Sequence, residues 1–248
     1  MAWRLEGKAV LVTGGARRVG AAIARRLHAA GANVLLHYRD SEADAASLAA
    51  ELNAAREKSA ATVKAELLAP IAPKALVAAA LEHFGRLDVL VNNASSFFPI
   101  AVGAIEASHW EELIGSNLRA PLFIAQEAAP QLARQLGSIV NIVDIHADRP
   151  LKGYPVYSIA KAGLAALTRS LALELAPEVR VNGVAPGAIA WPEDGQFPPE
   201  ERARVLATTP LRRIGEPDDI AQAVHFLACA PYVTGQIIAV DGGRSVFL

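Results

Sequence analysis

Ala9-Val10-Leu11-Val12-Thr13-Gly14-Gly15-Ala16-Arg17-Arg18-Val19-Gly20 is the stretch on which the reading of this chain turns. An uncharged run of β-formers meets two glycines, and an amphipathic pattern starts at Val19. A strand covered on both faces reads as such an unbroken apolar run. A glycine turn lets backbone approach a pyrophosphate closely, and the helix N-terminus behind it favours negative charge. A tight strand-to-helix turn alone would look much the same. The strand before, the helix after and the N-terminal position favour a dinucleotide site, with Gly14, Arg18, Val19 and Gly20 as candidate contacts.

Working outward, six more apolar runs follow, at 33–37, 62–66, 89–92, 138–143, 180–185 and 236–240. Ala-rich amphipathic stretches separate them, at 19–30, 43–57, 72–84, 108–135, 157–176 and 218–228. Gly31, Gly85 and Gly137 each follow a helix, where a left-handed cap favours glycine. The alternation predicts one α/β domain over 1–248, a doubly wound parallel sheet of seven strands with helices on both faces. Ligands of such sheets bind beyond the carboxyl ends of the strands.

Composition narrows the function. The 248 residues carry a net charge of −1, so no field draws nucleic acid or an anionic membrane. The single Cys229 excludes an intramolecular disulfide and a multi-cysteine metal cluster, and no metal site is expected. The N-terminus lacks a secretory pattern, and the longest uncharged run, between Asp219 and Asp241, is too polar and broken to span a bilayer. A cytoplasmic protein is expected.

The second strand ends in His37-Tyr38-Arg39-Asp40-Ser41. An acid at such a tip holds a ribose 2′-hydroxyl, whereas a cation accommodates a 2′-phosphate. Asp40 lies twenty residues after Gly20, which fits the first pattern, but it falls beyond the strand. Arg39 with Arg18 brackets a phosphate, with Ser41 as a further donor, so NADPH is the expected cofactor. Tyr157-Ser158-Ile159-Ala160-Lys161 sets a phenol and an ammonium four apart, on one helix face. The lysine charge is expected to lower the phenol's pKa, fitting it to shuttle protons. Asn92-Asn93-Ala94 follows the fourth strand, Asn117 lies in the next helix, and Pro186-Gly187 follows the sixth strand.

In this motif order, from Gly7 to Gly243, the chain resembles the short-chain dehydrogenase/reductase family, whose fold is Rossmann-like. The resemblance implies that Tyr157 is the catalytic acid and that Lys161 binds the nicotinamide ribose. Asn117 would hold a water linking the lysine to solvent. Asn93 and Ala94 would steady the cofactor, Pro186 and Gly187 would line the nicotinamide, and Tyr38 takes the place of the NAD users' acid. Glu66, with Leu67 beside it, stands at the adenine contact.

Two departures refine the resemblance. The middle glycine of the usual TGxxxGxG turn is Arg18, and the usual serine thirteen residues before the tyrosine is Asp144. An ionised carboxylate cannot donate to a forming alkoxide. Two like charges 4 Å apart repel by roughly 4 kcal/mol at an effective dielectric of 20. Asp144 suits a substrate that presents N–H or gains a proton on nitrogen. Both departures, and Asn93-Ala94-Ser95-Ser96-Phe97, resemble the pteridine reductase subgroup. That resemblance implies an NADPH-dependent reductase of pterins, dihydropterins or dihydrofolate. Arg18, Ser95, Phe97, Asp144 and Tyr157 would contact substrate, with Phe97 stacked on the ring and Ser95 bridging it to cofactor phosphate. Trp191 either lines the substrate loop or covers it, and residues 188–210 are expected to form a lid. Homotetramers built through helices 108–135 and 157–176 are expected by the same likeness. The alternatives are a carbonyl (3-oxoacyl-type) reductase, which Asp144 disfavours, and a non-catalytic NADP sensor, which has no need of Asn117, Tyr157 and Lys161.

Overall fold

The computed structural model describes residues 4–191 and 198–247. Seven strands form one sheet: β1 (Ala9–Val12), β2 (Asn33–Tyr38), β3 (Ala60–Lys64), β4 (Val89–Asn92), β5 (Ser138–Ile142), β6 (Arg180–Pro186) and β7 (Ile237–Val240). Their order is β3-β2-β1-β4-β5-β6-β7, and every pairing is parallel. The strand order reverses between β1 and β4, so a crevice opens beyond their carboxyl ends.

Helices α1 (Arg18–Ala29), α2 (Glu42–Ala55) and α8 (Pro217–Cys229) cover one face, over a core that includes Val10, Val34, Val91 and Val140. Helices α3 (Ala72–Phe84), α5 (Ala120–Arg134) and α6 (Pro155–Glu174) cover the other, over Leu11, Leu35, Leu90 and Ile139. Successive strand residues point to opposite faces, which is why both sets are apolar and the runs show no alternation. Local chemistry sets the helix ends. Gly85 stops α3 at φ 70°, and Glu216 and Asp219 form a capping box that starts α8.

The structure corrects one expectation. The stretch read as one helix over 108–135 is α4 (Ala107–Ile114), a π-helical turn (Gly115–Arg119) and α5. Periodicity cannot show a single inserted residue of winding. The segment 188–210, expected to form a lid, also holds a helix, α7 (Pro199–Thr208), started by Pro199 and by Glu200 and Glu201 in its first turn. Residues 192–197 of that segment lie outside the described residues. A short α9 (Arg244–Phe247) closes the chain. Among the described residues no helix is long and apolar enough to cross a membrane.

Candidate active site

Two cavities flank the crevice. The first, about 320 Å³, is lined by Gly14, Tyr38, Arg39, Ser41, Glu66, Leu67, Asn93, Ala94 and Ser95 among others. Its floor is the glycine turn. Gly14 sits at φ +59°, which strains any other residue, and a Cβ on Gly20 would collide with the Gly14 carbonyl. Asn93 Nδ2 donates to the carbonyls of Thr13 (2.9 Å) and Gly14 (3.0 Å), tying the end of β4 to the turn. His37, buried at the tip of β2, accepts from the Gly14 N–H through Nδ1 at 3.1 Å and meets the Ala65 carbonyl through Nε2 at 3.0 Å. Burial lowers its pKa, so it stands neutral with Nε2 protonated. Sequence reading passed over His37, because only the fold brings Gly14 and Ala65 to its two nitrogens.

Arg39 reaches into this cavity from beyond β2. Its Nε donates to Asp40 Oδ2 at 2.7 Å and lies 4.0 Å from Glu66 Oε2. All three side chains are about half exposed or more, so these pairings hold the guanidinium weakly. Ser41 stands beside it at the N-cap position of α2, its side chain making no capping hydrogen bond. Gly187 stands where any Cβ would lie 2.7 Å from the Asp241 backbone. This glycine cradle fits the close approach of a dinucleotide, with Arg39 at the strand tip beside it. Asp40, weighed from sequence as a ribose-binding acid, also lines the cavity, as do Ala16 and Ser116, which were not singled out.

The chemistry sits between this cavity and the second, of about 230 Å³, whose wall includes Arg18, Phe97, Asp144, Tyr157, Gly187 and Trp191. Asp144 leaves the end of β5 and caps a short 3-10 turn. Its Oδ1 accepts from the His146 N–H at 2.8 Å, and its Oδ2 accepts from the Tyr157 hydroxyl at 2.7 Å. Lys161, one turn on from Tyr157, is buried and donates to the Ile142 carbonyl at 2.9 Å. Burial lowers its pKa to about 8, against the pull of the Asp144 charge.

The expected lowering of the Tyr157 pKa is corrected. Burial raises it well above 10, with the Asp144 charge and hydrogen bond adding to the rise and Ser95 opposing it. Lys161 Nζ lies 5.7 Å from the phenol ring centroid and is turned to a backbone carbonyl, so the nearer carboxylate dominates. Tyr157 is therefore a firmly protonated donor.

Asn117 lies in the π-helical turn, fully buried. Its Nδ2 donates to the Ser96 and Leu113 carbonyls, both at 3.0 Å, and its Oδ1 accepts from the Ser95 hydroxyl at 2.6 Å. Ser95 thus links this turn to the loop after β4. Phe97 is stacked on Tyr154 (4.5 Å, 11°) and meets Tyr157 edge-on (4.8 Å, 78°). Tyr154 was unassigned from sequence, and only its packing on Phe97 reveals it. Arg18, at φ 50°, donates from its guanidinium to the Ala190 carbonyl at 2.7 Å, so its side chain faces the second cavity while Arg17 lines the first. Trp191 is on the cavity wall, with the Arg202 guanidinium 5.3 Å over its ring. Val19 packs against the core beside the turn, and Pro186 ends β6.

Comparison with known proteins agrees with this layout. A family model described as "Enoyl-(Acyl carrier protein) reductase" matches residues 14–245. Pteridine reductase 1 of Leishmania tarentolae is 43% identical, over 95% of this chain and 96% of that protein. A 3beta-hydroxysteroid dehydrogenase 1 of Eggerthella lenta is 36% identical, over 98% and 95%. A 3-oxoacyl-(acyl-carrier-protein) reductase of Staphylococcus aureus is also 36% identical, over 95% and 97%.

Proposed function

Because the chain belongs to the short-chain dehydrogenase/reductase family, we propose that it is an NADPH-dependent pteridine reductase. The observation that carries this reading is the carboxylate of Asp144, hydrogen-bonded to the Tyr157 hydroxyl and lining the second cavity. A carboxylate there accepts from the N–H groups of a nitrogen heterocycle and repels a forming alkoxide. The pteridine reductase among the relatives supports the same reading.

The first cavity takes the dinucleotide. Gly14, Val19 and Gly20 of the turn would hold its pyrophosphate, Arg39 and Ser41 its 2′-phosphate, and Tyr38, Glu66 and Leu67 its adenosine half. Asn93, Ala94, Pro186 and Gly187 frame the nicotinamide end. Bound there, NADPH supplies hydride to the carbon of a ring C=N bond. Tyr157 hands its proton to the adjacent nitrogen, so the ring gains H⁻ and H⁺ as C–H and N–H. Asp144 orients the phenol and accepts from the ring. Lys161, charged, binds the ribose and returns a proton through a water at the main chain of Asn117, whose side chain is committed to protein partners. Phe97 stacks on the ring, Ser95 and Arg18 reach its polar edge, and Trp191 closes the far side. A cytoplasmic homotetramer goes with this proposal: Phe123 on α5 and Ile159 on α6 are apolar and exposed, as a helix-to-helix interface requires.

The second reading, a carbonyl reductase acting on oxoacyl groups, is favoured by the 3-oxoacyl reductase relative. NADPH oxidation measured with dihydrobiopterin, dihydrofolate and a panel of ketones separates the two. Turnover of the pterins with ketones ignored is the expected result, and rapid alcohol formation without pterin turnover overturns the proposal.

A further inference from the structure

The second cavity does not end at the catalytic pair. Away from Asp144 and Tyr157 its wall passes to Arg204 on α7 and Arg244 on α9. These elements come from opposite sides of β7 and share no sequence motif. Arg244 is half-buried and braces α7, its guanidinium donating to the Val205 carbonyl and Thr208 Oγ1, both at 3.2 Å. Arg204 donates to Glu201 Oε1 at 3.2 Å, and its side chain is 71% exposed. Burial and the nearby Arg204 charge both work against the Arg244 cation, while Asp241 and Glu201 favour it. Asp241 already accepts from the backbone N–H groups of Gly243 and Ser245. Glu201 lines this end of the cavity paired with Arg204, while Asp241, outside the lining, lends its charge to Arg244.

We infer that Arg204 and Arg244 form an anion subsite that takes an acidic substituent of the substrate, a carboxylate tail carried by the reducible ring. The inference rests on the pteridine reading above and adds to it a preference for ring substrates with an anionic tail over those with a neutral one. Two guanidiniums converging on one cavity supply forked donors suited to carboxylates. The surplus positive charge stands at the mouth, where it also steers an anion inward. Phe97 and Asp144 hold the ring, and the arginines hold the tail.

The test compares dihydrofolate, whose tail carries two carboxylates, with dihydrobiopterin, whose tail is neutral. Arg204→Gln and Arg244→Gln are each expected to raise KM for dihydrofolate about tenfold, with kcat unchanged and dihydrobiopterin kinetics within twofold of wild type. Added salt is expected to raise KM for dihydrofolate alone. Arg244 also braces α7, so exposed Arg204 gives the variant with no packing to lose. Equal losses on both pterins, or no loss from either variant, overturn the subsite. If the wild-type protein reduces neither pterin, the functional reading fails, and the subsite is judged separately. In that case N-(4-aminobenzoyl)glutamate is titrated into the NADP⁺-loaded protein. Binding that weakens about tenfold in Arg204→Gln upholds the subsite, and absence of binding overturns it.

Discussion

Asp144 and Tyr157 stand thirteen residues apart in sequence and 2.7 Å apart in space, and the chemistry of the site depends on which holds the proton. The phenol holds it, because burial and the adjacent carboxylate both disfavour phenolate. Tyr157→Phe removes the donated proton and is expected to cut pterin turnover by about 10²-fold or more with NADPH affinity kept, read from NADPH absorbance and binding titration. Asp144→Ala is expected to lower pterin turnover likewise, whereas full turnover in either variant would refute the roles assigned. Lys161 gives a pH dependence of definite sign. Its folded pKa, about 8, lies below the ordinary 10.5, so the cation proposed to bind ribose is lost as pH rises through about 8. Accordingly kcat/KM for NADPH, which reports the free enzyme, is expected to fall above about pH 8. Folding stability moves the other way, rising between about pH 8 and 10.5 as the unfolded chain holds the extra proton. Asp144, Tyr157 and Lys161 were singled out by their place in the family's motif order as well as by spacing, and the fold brings the first two into contact. The direction of the Tyr157 shift was not legible, because it depends on how deeply the fold buries the ring.

At the scale of elements, the turn between β1 and α1 is shaped by what presses on it. Gly20 packs so closely on the Gly14 carbonyl that Gly20→Ala is expected to cost about 1–3 kcal/mol of stability and to weaken NADPH binding, measured by chemical denaturation and by titration. His37 supports the same turn from β2, and its part was illegible because partners 23 and 28 residues away meet it only in the folded sheet. The π-helical turn has the same lesson. Hydrophobic spacing announced a helix through 108–135, and the extra winding that seats Asn117 against Ser95 and Ser96 left no trace in that spacing. Helix α7 was hidden for another reason: its run of charges and its low apolar content resemble a solvated loop.

For the whole molecule, the sheet was readable because its inner strands are covered on both faces and appear as blocks of apolar residues, while β3 and β7 at the edges are only partly buried. Its amino-terminal edge is held by something less visible. Asp88, fully buried, accepts from Arg86 at 2.7 Å through both carboxylate oxygens, from the Ala9 N–H at 2.9 Å and from Lys8 at 3.4 Å. This joins the starts of β1 and β4 on the side away from the crevice. Asp88→Ala strands those donors and is expected to cost about 3 kcal/mol in urea unfolding, with the KM for NADPH unchanged in the folded fraction. The opposite edge carries a different kind of join. Arg18 begins the first helix yet fastens the backbone at Ala190, so the wall of one compartment is anchored to the floor of the other. A single side chain thus straddles the divide between the two compartments, and Arg18→Ala is expected to loosen the Ala190 wall, read as a raised KM for the second substrate.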